Sequence, residues 1–501
     1  MHPHHRSTVL HHPHGKRLCG DALRARHAAR PINMVITLRA AHRGTGRTSM
    51  LHPACAWVLA AAVTLCAALI APAHAAGASS SIESTANDLF KAGDYAAVAA
   101  LYQTIPSGTT VSNQLLRTCL LSYVRIGRTD EALAIYMRLA PDGRTHDPAL
   151  LRPLALTVIT SHVRDRKEHV RIAAYTALAE LGLPETAAVL EDGLLDSSVL
   201  VRARAAEAIG KAGLAKKSGA LRRALGDQMP TVRIAAMTAL GEANAADLIT
   251  RFSDIARTDE GPESIFAAAA LYRMGQSDKL ADITNAATLP DEDMRMAALG
   301  VLGRLKRPTS LAALSQAVYD PHPSVRAFAA GALGEFGSPG AVAPLTHAIG
   351  DDIAMVRSVA AGSLGRLGIK ENRPLLQALT RDPSWQVRAA AAEGLLRLGE
   401  ASALPLVAEL VKQPDPSVRG AAAQALSATS NTEAVALLEP LLRDMQPLPR
   451  LMAAKALGNS AGPVIPLLVK ALGDTDEAVR ITAAGSVLRQ LDRKRSPPKH
   501  R

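Results

Sequence analysis

The sequence predicts an all-α fold, a solenoid of stacked helix pairs, and three observations predict it. First, an Arg recurs on a 31-residue grid through residues 148–492, at Arg171, Arg202, Arg233, Arg295, Arg326, Arg357, Arg388, Arg419 and Arg450. Ser264 is the grid point without Arg, and an eleventh phrase follows at Arg480, one residue short. Second, Ala stands three residues after every grid position, as at Ala174, Ala267, Ala329 and Ala453, and Leu, Ile or Val follows four residues later. That spacing makes one apolar helix face with a small residue at its centre, where neighbouring helices can approach closely. Third, Gly recurs near the end of most phrases, placed to stop the helix. Units of this length bury their apolar face only by stacking on one another, so the array shares one continuous core.

The chain begins with a leader, residues 1–75. Ala54 to Ile70 is an apolar run rich in Ala, Leu and Val, preceded by Arg39, Arg43 and Arg47 and followed by Pro72 and Ala73-His74-Ala75. A basic flank, an apolar core and a small-x-small site read as a secretory signal peptide, with Ala76 as the expected mature N-terminus. An uncleaved anchor is the alternative, since the run is borderline for a bilayer span. Neither Cys55 nor Cys66 sits in a lipobox. Six of the first fourteen residues are His; Met34 or Met50 would each start a more ordinary signal, and residues 1–33 are assigned no role.

Residues 76–147 follow a different period. Gly93-Asp94-Tyr95 with Tyr102 aligns with Gly127-Arg128-Thr129 with Tyr136, and Val98 aligns with Ala132, all at an offset of 34 residues. These units resemble tetratricopeptide repeats (TPR), and the resemblance implies two helical hairpins. Two such units are too few for a deep groove, so they are expected to cap the first face of the longer array, with a separate peptide site as the alternative.

Within the 31-residue unit the order is helix A, a turn opening with Asp, helix B carrying the Arg, then Gly. In the unit around Arg326, Asp320-Pro321 is expected to supply the N-cap and first position of helix B, Val325, Ala329 and Leu333 its buried stripe, and Gly337 a left-handed C-cap. An Arg in the first turns of a helix opposes the macrodipole and needs a fixed acceptor. Asp stands six residues before Arg171, Arg202, Arg233, Arg326, Arg357, Arg388, Arg450 and Arg480. The two types are expected to form a structural ladder joining consecutive turns, including Asp320, Arg326, Asp351, Arg357, Asp382 and Arg388. The Asp-Pro-x-x-x-Val-Arg phrase with its following Ala and Leu-Gly resembles the short HEAT-like repeats of phycobilin lyases and deoxyhypusine hydroxylase. The resemblance covers residues 148–492, about eleven repeats, and implies a right-handed α-solenoid.

The charge balance narrows the partners. The formal net charge is +12, but the body between the leader and the tail from Arg489 has 42 basic and 43 acidic residues. A neutral body with few aromatics lacks the field and the stacking platforms of a nucleic-acid binder. Of the four cysteines only Cys119 follows the expected processing site, which excludes an internal disulfide and a cysteine-ligated metal in the mature chain. The hydroxylases that carry HEAT-like repeats hold iron with His-Glu pairs; this chain contains no His-Glu dipeptide. No catalytic, cofactor or metal residue is assigned. An enzyme of the bilin-lyase or hydroxylase class remains the alternative to a binding role.

Projection at 100° per residue puts the positions one, two, five and nine after the Arg near the exposed face of helix B. The middle units place Phe266, Met296, Phe328 and Val359 there, beside Ala269, Gly300, Gly331 and Gly362, with Arg273, Arg304, Arg366 and Arg397 along the ninth position. Trp385 stands three residues before Arg388, where most other units have Pro, Glu or Ala. An apolar floor with an Arg edge suits a partner segment with acidic flanks. The expectation is an exported protein-interaction scaffold, periplasmic or in the cell envelope on the assumption of a bacterial source. Its partner would be a protein or peptide, with the membrane met only through the signal peptide. The tail 493–501 is expected to be basic and disordered.

Overall fold

The computed structural model describes residues 81–106, 108–141 and 146–495. The leader and its signal, the expected N-terminus at Ala76, and residues 496–501 lie outside the described residues. Within the described residues there are 26 α-helices and no strand. None of these helices is long and apolar enough to cross a membrane.

The first four helices form two hairpins: α1 (residues 81–91) with α2 (Tyr95–Gln103), and α3 (Asn113–Arg125) with α4 (Thr129–Leu139). Gly93 and Gly127 both turn the chain at positive φ, +81° and +76°, a conformation with little steric cost for Gly. Val98 and Ala132 are fully buried where the paired helices approach. The 34-residue offset therefore marks two helical hairpins.

From α5 (Pro148–Thr160) the helices alternate in kind. The odd-numbered ones that follow are α7 (Ala187–Gly193), α9 (Gly219–Ala224), α11 (Ile249–Thr258), α13 (Lys279–Ala286), α15 (Leu311–Gln316), α17 (Val342–Ala348), α19 (Arg373–Leu379), α21 (Leu404–Leu410), α23 (Thr432–Leu441) and α25 (Ile465–Ala471). The even-numbered ones carry the grid positions: α6 (Glu168–Leu181), α8 (Val199–Lys211), α10 (Pro230–Glu242), α12 (Pro262–Arg273), α14 (Glu292–Leu305), α16 (Pro323–Phe336), α18 (Ala354–Arg366), α20 (Trp385–Arg397), α22 (Pro416–Leu426), α24 (Pro447–Leu457) and α26 (Glu477–Arg495). Each even helix packs on the next, and the odd helices pack against one side of that row. This is an α-solenoid.

The packing follows from the repeated small residues. The Ala three after each grid position is fully buried in every even helix, and so is nearly every aliphatic residue four further on. Gly at the eighth position serves close approach rather than the helix end: a Cβ at Gly365 would lie 2.3 Å from the Cα of Gly394 in the next even helix. The stop belongs to residues such as Gly337, which caps α16 at φ +76°.

Two expectations about the unit change. Helix α16 starts at Pro323, not Pro321, and Asp320 is not its N-cap. Its carboxylate instead accepts from the His322 amide at 2.9 Å, a local turn that leaves the carboxylate free to serve the neighbouring unit. At the far end α26 runs on to Arg495, past the expected boundary at 492, and Arg493 donates to the Asn459 carbonyl at 2.7 Å.

The array also closes on itself. Helix α26, the last, packs on α5 and α6, the first. Arg152 of α5 meets Asp492 at 2.6 Å, Lys167 meets Glu477 at 2.7 Å, and Glu180 of α6 takes both Lys455 at 2.8 Å and Arg489 at 3.4 Å. The expected cap is thus placed differently. The first face of the array is covered by α26, while α3 and α4 lie on α5 at the seam, where Arg480 pairs with Asp130 and donates to Thr129 at 3.3 Å.

Candidate partner-binding face

The ladder occupies the edge where each odd helix turns into its even partner. Arg326 gives Nε to Asp351 Oδ2 at 2.6 Å and Nη2 to Asp351 Oδ1 at 3.0 Å, a bidentate fork on the carboxylate 25 residues ahead. Its Nη1 donates to the carbonyls of Asp320 and Pro321 at 3.0 and 3.2 Å. One guanidinium therefore ties its own turn to the next. Arg357 repeats this with Asp382, and Arg295 with Asp320. Asp351 is held down at about 2, first by the hydrogen bond from Arg326, against the opposing effect of burial. Asp382 is lowered for the same reason by Arg357.

The ladder has two departures. Arg388 keeps only its backbone half, donating to the Asp382 and Pro383 carbonyls at 2.8 and 3.0 Å, because Gln413 stands where the next carboxylate would be. Arg233 reaches Glu263 in place of an Asp at the usual distance. With the acid 25 residues ahead, 24 at Arg450, and the backbone carbonyl six behind, the sequence spacing of six marked the carbonyl contact and not the ion pair.

The same even helices present a second surface, the inner wall, facing away from the odd helices. The first position after the Arg reaches it only at an edge: Ala203, Ile265 and Ala327 are buried, Met296 is partly buried against the core, and Ala203 and Ile234 touch the wall where a cavity opens beside them. The second position does. Phe328 is 43% exposed, and its ring covers Gly300 of α14, within 3.2 Å of where a Cβ would stand. Phe266 is half-buried beneath the Arg304 guanidinium, whose carbon lies 5.8 Å from the ring centre. Val359 approaches Gly331 in the same way, and Trp385 is half-buried against the core at the start of α20. Of Phe266, Phe328, Val359 and Trp385, Phe328 is therefore the apolar side chain left most open.

The expected Arg edge is not uniform. Arg273 faces Glu242 at 3.6 Å and Arg397 pairs with Glu393 at 2.8 Å. Arg366 donates to Ser363 Oγ at 2.6 Å. Burial, with Arg304 nearby, lowers the Arg273 pKa against the pull of Glu242, though an Arg remains a cation. Arg304 has no acidic partner among the described residues, and its Nε is buried without a hydrogen bond. No group of three or more His, Cys, Asp or Glu among the described residues could hold a metal ion.

Residues 312–373, 372–447 and 436–498 match the family described as HEAT repeats. Residues 312–498 carry HEAT repeats. The rungs of Arg171, Arg202 and Arg295 lie before that stretch and have the same geometry as those in the HEAT repeats. Solved structures similar to the chain include the following two. The complex of CpcE and CpcF of phycocyanin lyase from Nostoc sp. PCC7120 matches at 20% identity over 50% of this chain and 94% of that one, with a TM-score of 0.34. Human deoxyhypusine hydroxylase in complex with glycerol matches at 20% identity over 49% and 96%, with a TM-score of 0.29. No curated protein matches at a significant level.

Proposed function

We propose that this chain is an exported, non-catalytic scaffold of the periplasm or cell envelope that holds a segment of a partner protein on its inner wall. The observation that carries the reading is Phe328, an exposed aromatic standing in a wall of Ala and Gly. Small residues around a fixed ring leave a partner side chain room to pack on both, which is the arrangement of an interface anchor. The two N-terminal hairpins, which resemble TPR units, are read as a support for the seam. Export rests on the leader, and the non-catalytic reading rests on the lack of His-Glu pairs in the sequence.

Crosslinking and co-purification of residues 76–501 from native envelope tests the binding role. Phe328→Asp is expected to abolish capture while the protein stays folded. Normal capture by that variant, or its failure to fold, rejects the inner wall as the site. Sequencing the mature N-terminus should find Ala76; an intact Met1 or Met34 would replace export by anchoring. Purified protein is expected to be colourless and iron-free, and bound iron or a bilin chromophore would overturn the non-catalytic reading.

A further inference from the structure

One cavity of about 440 Å³ lies on the inner wall, and every residue lining it comes from the even helices α8, α10, α12 and α14. Its apolar surface is Ala203, Ile234, Ala235, Ala239 and the Phe266 ring. Four charged side chains reach it: Glu207, Lys211, Glu242 and Arg304. The two acids are already engaged, Glu207 by Arg204 at 2.7 Å and Glu242 by Arg273 at 3.6 Å. The two bases are not. Among the described residues neither Lys211 nor Arg304 has an acidic partner, and in both the cation stands at the C-terminal end of its helix.

Arg304 is also held in place. Its guanidinium lies over Phe266 at 5.8 Å, and its Nη1 is 3.9 Å from where a Gly300 side chain would begin, beside the Phe328 ring on that same glycine. Its Nε is buried and unpartnered. A guanidinium fixed on an aromatic face, partly stripped of water and without a counter-ion, has unused donors suited to a planar anion. The engaged Glu207 and Glu242 in the same wall disfavour a dianion such as phosphate and tolerate a single negative charge.

We infer that the cavity between α8 and α14 is a carboxylate site, taking one Asp or Glu side chain of the partner segment on Arg304 and Lys211 with an adjacent apolar side chain on the Ala and Phe266 surface. This rests on the proposed scaffold role and specifies its partner. The acid belongs to an internal stretch of the partner, because the wall continues past the cavity over Gly300 to Phe328 and on to Val359 beside Gly331. The C-terminal carboxylate of a peptide would have no use for that continuation.

The test uses the full mature chain and a fluorescein-labelled, acetylated and amidated peptide of three Gly-Glu-Leu-Ser units, with Gln and Lys versions of the same length, read by fluorescence anisotropy. The Glu peptide is expected to bind about tenfold tighter than the Gln peptide, and the difference should shrink as salt is raised. Arg304→Gln should remove the difference, Arg304→Lys should restore only part of it, and Lys211→Ser, at an exposed helix end, should reduce it severalfold. Equal binding of the Glu and Gln peptides, no binding of either, or an unchanged preference in Arg304→Gln and Lys211→Ser overturns the carboxylate site. If the Glu and Gln peptides bind equally and Phe328→Asp removes both, the scaffold reading stands while the acidic partner falls. Envelope co-purification that survives Phe328→Asp rejects the scaffold wall itself.

Discussion

Two surfaces of the same even helices can be set side by side in the unit around Arg326. At the turn edge, Arg326 spans from the Asp320 carbonyl to both Asp351 oxygens, and seven such rungs, from Arg171 to Arg450, have Nε to Oδ2 distances between 2.6 and 2.8 Å. On the inner wall, two residues after each of those arginines, the side chains are Ala173, Arg204, Ala297, Phe328, Val359, Ala421 and Met452. The edge is uniform because each rung must meet the next, whereas nothing in the stack dictates what faces the wall. Departures from the repeat at the wall are therefore where a partner can be specified.

The largest expected effect tests the edge as a whole. Asp227, Asp351, Asp382 and Asp444 are all lowered below the ordinary carboxylate range, each first by a hydrogen bond from its arginine, Asp351 to about 2. A depressed carboxylate contributes stability that is complete above its unfolded pKa near ~4 and is lost as pH falls through the folded value. The denaturation midpoint should hold from pH 7 to about 5 and then drop steeply between about pH 4 and 2, as several rungs protonate together. A midpoint indifferent to acid would break the comparison at its edge.

Next come two glycines on one helix. Gly365→Ala places a Cβ against the backbone of Gly394 and should cost about 1 to 3 kcal/mol by overpacking. Gly362→Ala points onto the wall, where the nearest atom is Nη1 of Arg366 at 3.6 Å, and should instead stabilise by about 0.5 to 1 kcal/mol through helix propensity. Chemical denaturation of the pair should give opposite signs.

Within the ladder, Arg326→Ala is expected to cost about 1 to 3 kcal/mol, because it strands a buried carboxylate. Arg388→Ala should cost less, by about 1 kcal/mol, since its rung has no carboxylate to strand. Equal losses would show that the backbone contacts, not the ion pairs, carry the rung. The smallest effect belongs to the wall: Phe328→Asp should shift thermal stability by less than about 1 kcal/mol, and a cooperative loss of structure would move Phe328 into the core.

The sequence by itself determined the repeat and its physics. Period, helix face, buried Ala and Leu stripe, left-handed Gly stop and the pairing of Arg with Asp are local regularities, and each is legible because a stacked unit meets the same neighbours every time. Tertiary structure decided the rest. Asp320 serves Arg295 of the preceding unit and not the Arg six residues later, because its own local turn aims the carboxylate across the stack. Met296 falls at the core and Phe328 at the wall although they are one position apart in the repeat, since helix-to-helix packing takes more of the circumference than the projection allowed. Whether Arg273 or Arg304 keeps a free charge depends on which acid the neighbouring helix presents. Closure of α26 onto α5 and α6 is the sum of small rotations, one per unit, each too slight to mark the sequence and decisive only when all eleven are added.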